Sequence, residues 1–255
     1  MLNAHASFRL LAVALVIVGT AAACGEDETA PSAAPEGEPS FPPAVSPYDP
    51  QIDPSDFVEG IDNPYMPFEP GTTLVYKGES EDEKETVTVF VTNETKEILG
   101  ITATVVRDVV TVEGQIAEKT FDWYAQDRYG NVWYMGEDSK EYEDGKPASS
   151  AGSWEAGVDG AKPGIVMLGD PQVGDRYRQE YYKGEAEDFG KVLRLDASIE
   201  VPYDSYSDVL VTEDWNPLEP KVLENKYYAQ SVGVVYERSV KGPKEELELV
   251  DLKQG

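Results

Sequence analysis

The sequence predicts an all-β protein whose large, curved antiparallel sheet forms a barrel or half-barrel. Three observations predict this class: apolar and polar residues that alternate, turn signals between β-branched or aromatic runs, and two short words that recur about a hundred positions apart. After Ile61 almost no pattern has the helical period of 3.6 residues. The 255 residues, 40% of them hydrophobic, are enough to bury a core.

Individual strands are predicted from the alternation of side chains between two faces. In Thr86–Thr92 every second residue is valine, and Phe121–Gln126 alternates in the same way. Gly130-Asn131 between two aromatic runs, and Glu113-Gly114 between two β-branched runs, are typical of hairpin turns. Each pair of runs therefore predicts two neighbouring antiparallel strands.

Two short sequence motifs recur, and the two recurrences are separated by nearly the same number of residues. Tyr76–Glu79 is repeated as Tyr182–Glu185, and Tyr124–Gln126 is repeated as Tyr228–Gln230. We interpret them as two degenerate copies of a roughly five-stranded meander, near residues 71–140 and 174–240, followed by a last strand at Glu245–Leu252. Because one copy alone would bury its faces poorly, we expect the copies to complete one β-domain over residues 55–255.

The first 23 residues are typical of a secretory signal peptide. Arg9 precedes the apolar run Leu10–Val18, and small residues lead to Cys24. The apolar run is about half the length of a membrane span. Cys24 after three alanines resembles the bacterial lipobox, which implies that this cysteine is acylated and becomes the first mature residue. We therefore expect an extracytoplasmic protein that is anchored by lipid to the bacterial cell membrane.

Residues 24–54 then predict an extended, disordered tether, because proline recurs too often for a helix or a central strand.

Charge and composition exclude several classes of function. Removing residues 1–23 takes away the single histidine and one arginine, which leaves 20 Lys and Arg against 49 Asp and Glu, a net charge of −29. Such a chain repels nucleic acid. With Cys24 acylated, the mature chain has no imidazole and no thiolate. Typical triad, thiol and transition-metal chemistry is thereby excluded, and we expect no cofactor.

Three stretches carry a resemblance to a family: Asp62–Pro67, Trp123–Tyr134, and Gly152–Gly157 continuing through Gly164–Met167. They resemble secreted bacterial proteins and lipoproteins of unassigned function, over most of residues 60–240. The resemblance implies no catalytic or ligand residues. A second likeness, of fold only, is to the half-barrels of lipoprotein carriers, and fold alone does not define function.

Two groups of residues are candidate sites. An exposed aromatic row could line a groove for an apolar or carbohydrate ligand, although cross-strand pairing explains the same residues; its members are Trp123, Tyr124, Trp133, Tyr134, Tyr182 and Tyr228. Hard oxygen ligands near one turn could bind a weak divalent cation such as calcium, although a hairpin turn explains them equally; they are Asp127, Asn131, Glu137 and Asp138.

The sequence therefore favours a binding protein, without catalysis, for an apolar or amphipathic ligand. One alternative is a glycoside hydrolase that uses two carboxylates and no histidine. Another is an envelope scaffold without a small ligand. The sequence does not determine the oligomeric state.

Overall fold

The computed structural model describes residues 48–80 and 83–255, and these residues form an all-β protein, as predicted. The predicted signal peptide, Cys24 and tether residues up to 47 lie outside the described residues. One 3₁₀ turn, Pro54–Asp56, comes first. Within the described ranges, no helix has the length and apolarity needed to cross a membrane.

The strands are β1 (Phe57–Val58), β2 (Thr73–Ser80), β3 (Glu83–Ile98), β4 (Ile101–Val112), β5 (Gln115–Asp127), β6 (Val132–Glu143), β7 (Lys146–Ser149), β8 (Trp154–Glu155), β9 (Lys162–Met167), β10 (Arg176–Arg178), β11 (Glu180–Tyr181), β12 (Phe189–Glu200), β13 (Ser205–Trp215), β14 (Leu223–Ala229), β15 (Gly233–Lys241) and β16 (Glu245–Lys253).

These strands form one large antiparallel sheet that nearly closes into a barrel. Its order is β10-β12-β13-β14-β15-β16-β2-β3-β4-β5-β6-β9-β11, with β1, β7 and β8 on side branches. The two ends of this path are consecutive in the chain, since only Gln179 separates β10 from β11. The short segment Arg176–Tyr181 thus joins both edges of the sheet.

The turns follow the chemistry that the sequence indicates. Glu113 and Gly114, between β4 and β5, both have positive φ, at +48° and +79°. Two consecutive positive φ angles are typical of a type I′ hairpin turn, which matches the right-handed twist of the strands. In β3, the alternate residues Val87, Val89 and Val91 are buried, as the alternation predicts.

Each half of the barrel contains an equivalent pair of backbone hydrogen bonds. Gly71 N–H donates to Val91 O at 2.8 Å, and Gly174 N–H donates to Val192 O at 2.9 Å. In return, Val91 N–H donates to Thr72 O and Val192 N–H donates to Asp175 O, both at 2.9 Å. Both glycines have a φ above +90°, which glycine adopts without a steric penalty.

Each half also contains a β-bulge, and the two bulges lie at equivalent places. The register shifts between Trp123 and Tyr124 where β5 pairs with β6, and between Tyr227 and Tyr228 where β14 pairs with β15. A bulge increases the local twist of the strands. Tyr124 and Tyr228 are both buried directly at the bulge. These two residues therefore occupy matching positions in the two halves.

The other repeated motif, a tetrapeptide, does not lie on matching strands in the two halves. Tyr76–Glu79 lies inside β2, whereas Tyr182–Glu185 forms a turn that is closed by a bridge between Tyr182 and Ala186. The strand predicted at Glu245–Leu252 is β16, which joins the halves by pairing with β15 and β2.

Large aromatic side chains fill much of the interior. Tyr76, Tyr124, Tyr134 and Tyr228 are among the largest fully buried side chains of the described residues. The Tyr76 hydroxyl donates to Val234 O at 2.9 Å and so reaches from β2 past β16 to β15. This core is shared by both halves rather than divided between two small domains.

Candidate functional site

A polar face of β5 is buried in the barrel. Glu118, Thr120 and Asp122 are buried, whereas Lys119 and Phe121 between them are more exposed. Buried acidic side chains also lie on other strands around the sheet, and we call all of them the interior acids. Apart from Asp127, which lies at the end of β5 and holds the turn that follows, these are, in the described residues, Glu85, Asp108, Glu118, Asp122, Glu137, Glu180, Asp188, Asp214, Glu224, Glu237 and Glu245. Acidic side chains are rarely buried without partners, so these acids require local compensation.

Lys226 on β14 supplies part of that compensation. Its Nζ lies 3.5 Å from Asp214 Oδ2 and 3.5 Å from Glu237 Oε1, and all three side chains are almost inaccessible to solvent. The register explains the geometry, because Lys226 stands opposite Thr212 on β13 and opposite Glu237 on β15. Burial alone lowers the pKa of Lys226, but the carboxylates of Glu237 and Asp214 outweigh burial and raise it.

Two of the acids around Lys226, Glu224 and Glu237, have raised pKa values. Burial raises the pKa of Glu224 to about 7, against the opposing effect of Lys226. Burial likewise raises the pKa of Glu237 well above its usual value. Because Asp214 stands opposite Glu224 in the register, a carboxylic acid that is partly protonated near neutral pH faces a second carboxyl group.

Amide and hydroxyl groups complete the surroundings of Lys226. Gln179 Nε2 donates to Asp214 Oδ2 at 3.3 Å. The Tyr177 hydroxyl and Asp214 Oδ1 are buried and have no hydrogen-bond partner among the described residues. Gly190, opposite Tyr177, leaves room for the Tyr177 ring, since a Cβ there would lie 2.8 Å from two of its carbons. We call Tyr177, Gln179, Asp214, Glu224, Lys226 and Glu237 the Lys226 site.

A second polar group lies between β5 and β6. The Thr120 hydroxyl donates to Glu118 Oε1 at 2.7 Å, and the Ser139 hydroxyl donates to the same oxygen at 3.2 Å. Burial, helped by the charge of Glu118, raises the pKa of Glu85 to about 8. Two buried carboxyl groups that lie near each other resist simultaneous ionisation.

Aromatic hydroxyl and indole groups lie against the interior acids at the centre of the barrel. The Tyr134 hydroxyl donates to Asp122 Oδ1 at 2.7 Å, and Trp154 Nε1–H donates to Glu180 Oε2 at 2.8 Å. Burial, and then the nearby charges of Asp108 and Glu237, raise the pKa of Tyr76. Since Asp108 belongs to β4 and Glu237 to β15, the acids of both halves act within one interior.

The predicted aromatic residues do not form one exposed row. Tyr124 and Tyr134 are fully buried and stack, with ring centroids 4.9 Å apart. Trp123 is buried beneath Lys96, whose Nζ lies 3.2 Å from the ring centroid. Tyr228 is buried as well.

The other two predicted aromatic residues are half-buried. Trp133 packs on Phe57, and Tyr182 belongs to the turn that bridges to Ala186. Their cross-strand or local packing accounts for them without a shared groove.

The predicted oxygen ligands are spread over two places. Asp127 Oδ1 accepts hydrogen bonds from the backbone N–H groups of Tyr129 and Asn131, at 2.9 and 3.0 Å. Asp127 Oδ2 accepts from Asn131 Nδ2 at 2.8 Å and from Trp133 Nε1 at 2.9 Å. Four donors thus already surround this carboxylate, as in a side-chain-stabilised turn.

The remaining two predicted ligands lie farther along β6. Glu137 is an interior acid, whereas Asp138 is half-exposed and pairs with Lys140 at 3.0 Å. In the described part of the chain, no group of three or more His, Cys, Asp or Glu side chains is arranged to hold a metal ion. The calcium interpretation stays a prediction.

The Lys226 site was not found by reasoning from the sequence. Its signal is the spacing Glu224, Lys226, Tyr228, which alternates with Asn225 and Tyr227. Both faces of this strand carry polar groups, so alternation alone does not show which face is buried. The side that faces the interior is set by how the sheet curves.

Two solved structures are similar to this chain. One is a protein from Bacteroides fragilis that is described as exported and as having a YmcC-like fold; it is 14% identical, with a TM-score of 0.43, over 74% of this chain and 99% of its own. The other is a protein from Parabacteroides distasonis that is described as a lipoprotein; it is 13% identical, with a TM-score of 0.42, over 74% of this chain and 98% of its own. No family model and no curated protein matches the sequence.

Proposed function

We propose that the chain is an exported binding protein, held at the bacterial cell membrane through an acylated Cys24, and that its ligand is a hydroxyl-rich carbohydrate bound at the Lys226 site. The signal peptide pattern and the cysteine after three alanines support export and anchoring.

The observation that carries the ligand class is a pair of buried polar atoms without partners, one carboxylate oxygen and one phenolic hydroxyl. Asp214 Oδ1 and the Tyr177 hydroxyl have no hydrogen-bond partner among the described residues, although both are buried. A buried polar atom without a partner costs about 1–3 kcal/mol. Sugar hydroxyls both donate and accept hydrogen bonds and would satisfy carboxylate, amide and phenol groups together. An acyl chain would leave them unsatisfied, so the apolar ligand of the sequence-based hypothesis is disfavoured at this site.

Native mass spectrometry of the lipid-anchored protein, purified from its own envelope, tests the ligand class. We expect a co-purified mass that matches an oligosaccharide and that is lost from the Asp214→Ala variant. Co-purified fatty acid or phospholipid would contradict the carbohydrate proposal. A protein that is empty under several gentle conditions would favour the envelope-scaffold alternative.

A second measurement separates the site from the rest of the protein. Oligosaccharides released by mild acid from envelope polysaccharide are added, and the melting temperature is followed. We expect stabilisation of the wild type and a smaller stabilisation of Tyr177→Phe, because that variant lacks only the buried hydroxyl. Tyr203→Phe is the matched control, since Tyr203 is exposed and lies outside the site. Equal stabilisation of all three proteins would contradict binding at the Lys226 site.

Glycoside hydrolysis is the second candidate, favoured by one observation. Glu224, whose pKa burial raises to about 7, stands opposite Asp214, and such hydrolases use a pair of carboxyl groups of which one has a raised pKa. Release of reducing sugar from the same oligosaccharides, abolished in Glu224→Gln, would support it. Binding without release in the wild type would exclude it for those substrates.

A further inference from the structure

The two edges of the nearly closed barrel meet at a seam that has very little pairing. We use seam for the junction of β9, β10, β11 and β12. β10 pairs with β12 over Arg176–Arg178, and β11 pairs with β9 over Glu180–Tyr181. In contrast, β3 pairs with β4 along most of Glu83–Ile98. Since each pairing contributes backbone hydrogen bonds, we expect the seam to open more easily than the rest of the sheet.

The first described residues of the chain lie across this seam. The Tyr48 hydroxyl donates to Pro163 O on β9 at 2.9 Å. The Tyr48 ring meets the Tyr181 ring on β11 edge-on, with centroids 5.8 Å apart. The next residue, Asp49, forms an ion pair with Lys162, also on β9.

Arg178 lies at the centre of these contacts. Its guanidinium carbon is 5.3 Å from the ring centroid of Tyr48, 4.8 Å from that of Tyr181 and 4.0 Å from that of Phe189 on β12. Only 8% of Arg178 is exposed. A cation shared by several aromatic rings is stabilised most where water is excluded.

Phe189 extends the stack to β13, because it lies parallel to Trp215 with centroids 5.4 Å apart. One residue of the amino-terminal segment thereby contacts β9 and β11 directly and, through Arg178, also β12. Each of these strands borders the seam.

We propose that Tyr48 and Asp49 form a latch, in which the chain's own amino-terminal segment holds the barrel seam closed. The latch belongs to the last part of the predicted tether, because Tyr48 and Asp49 fall within residues 24–54 and yet contact β9 and β11. Tension on a membrane-anchored chain would then act on the seam first. This inference does not depend on the ligand.

Hydrogen–deuterium exchange on the full mature chain tests the latch. In Tyr48→Ala we expect the backbone amides of residues 162–167 and 176–181 to exchange about tenfold faster, because the ring no longer joins β9 to β11. Amides of β3 and β4 should keep their rates. Tyr48→Phe should give a smaller acceleration at the same amides, since it loses only the hydrogen bond to Pro163.

Tyr129→Ala is the matched control. Tyr129 is also stacked by an arginine, with Arg128 5.1 Å from its centroid, but it lies in the turn between β5 and β6. We expect no acceleration at the seam in this variant. Unchanged exchange at the seam in Tyr48→Ala would overturn the latch. A uniform acceleration over the whole barrel would also overturn it, because it would indicate general loss of stability.

Discussion

Lys226 occupies, in the second half of the barrel, the register position that Asp122 occupies in the first. Asp122 stands opposite Glu137 and Lys226 stands opposite Glu237, each next to the bulge shared by both halves. The charge at this one position therefore differs between the halves. Among the described residues, the second half places a buried lysine among its interior acids at this position and the first half places an aspartate, and that difference distinguishes the Lys226 site from its counterpart.

Removing the cation should destabilise the barrel strongly. In Lys226→Met the carboxyl groups of Asp214 and Glu237 stay buried without their partner, and breaking a buried ion pair in this way costs about 3–5 kcal/mol. Urea denaturation at neutral pH measures the loss. Adding Glu237→Gln to Lys226→Met should restore part of the stability, because one of the two buried carboxyl groups is then replaced by a neutral amide. No recovery in the double variant would contradict the assigned pairing.

Stability should fall as the pH rises from mildly acidic to mildly alkaline. The pKa of Glu85 is raised from 4.5 to about 8, mainly by burial, so between these pH values the folded state holds a proton that the unfolded state has released. The free energy of unfolding therefore decreases as the pH rises through this window. Glu85→Gln should make the profile less steep, with Glu224 contributing to the slope that remains, as measured by urea denaturation from pH 5 to 8.

Glu94→Gln is the control for that profile, because Glu94 is exposed. It should leave the slope unchanged. If Glu85→Gln and Glu94→Gln gave the same pH dependence, burial of Glu85 would not be its cause.

Asp127 should stabilise the folded protein by accepting hydrogen bonds within the turn between β5 and β6. In Asp127→Ala, four donors lose their acceptor, so we expect a loss of about 1–3 kcal/mol in the free energy of unfolding. The loss should be the same with and without added calcium chloride. A loss that appears only with calcium would instead support the cation site predicted from the sequence. Asp138→Ala, at a half-exposed ion pair, should change stability little.

The bulge at Gly136 should not tolerate a side chain. Gly136 has a φ of +129°, and a Cβ there would lie 2.3 Å from Trp154 O. Gly136→Ala should therefore lower the melting temperature by several degrees more than Gly160→Ala. Gly160 also has positive φ, at +84°, but its Cβ would meet no atom within 4 Å. Equal effects would mean that backbone strain alone, and not the contact with β8, limits this position.

Much of the fold could be predicted from short-range patterns. The alternate valines of β3 and the Glu113-Gly114 turn were correct because both depend on neighbours in the sequence. The aromatic pair at Tyr124 and Tyr228 gave matching positions in the two halves, since both residues lie at the same bulge. The recurrence of Tyr76–Glu79 at Tyr182–Glu185 was misleading, because the same short sequence forms a strand at the first place and a tight turn at the second.

The sequence by itself determined the fold class, and it predicts an export signal that ends at Cys24 and a mature chain without imidazole, because each is readable from composition or from local order. Only the tertiary structure decided that Glu224 and Lys226 face inward and that Tyr48 lies across the seam. Both depend on which strands a curved sheet brings together, and residues more than a hundred positions apart in the chain, such as Tyr48 and Pro163, meet only when the barrel closes.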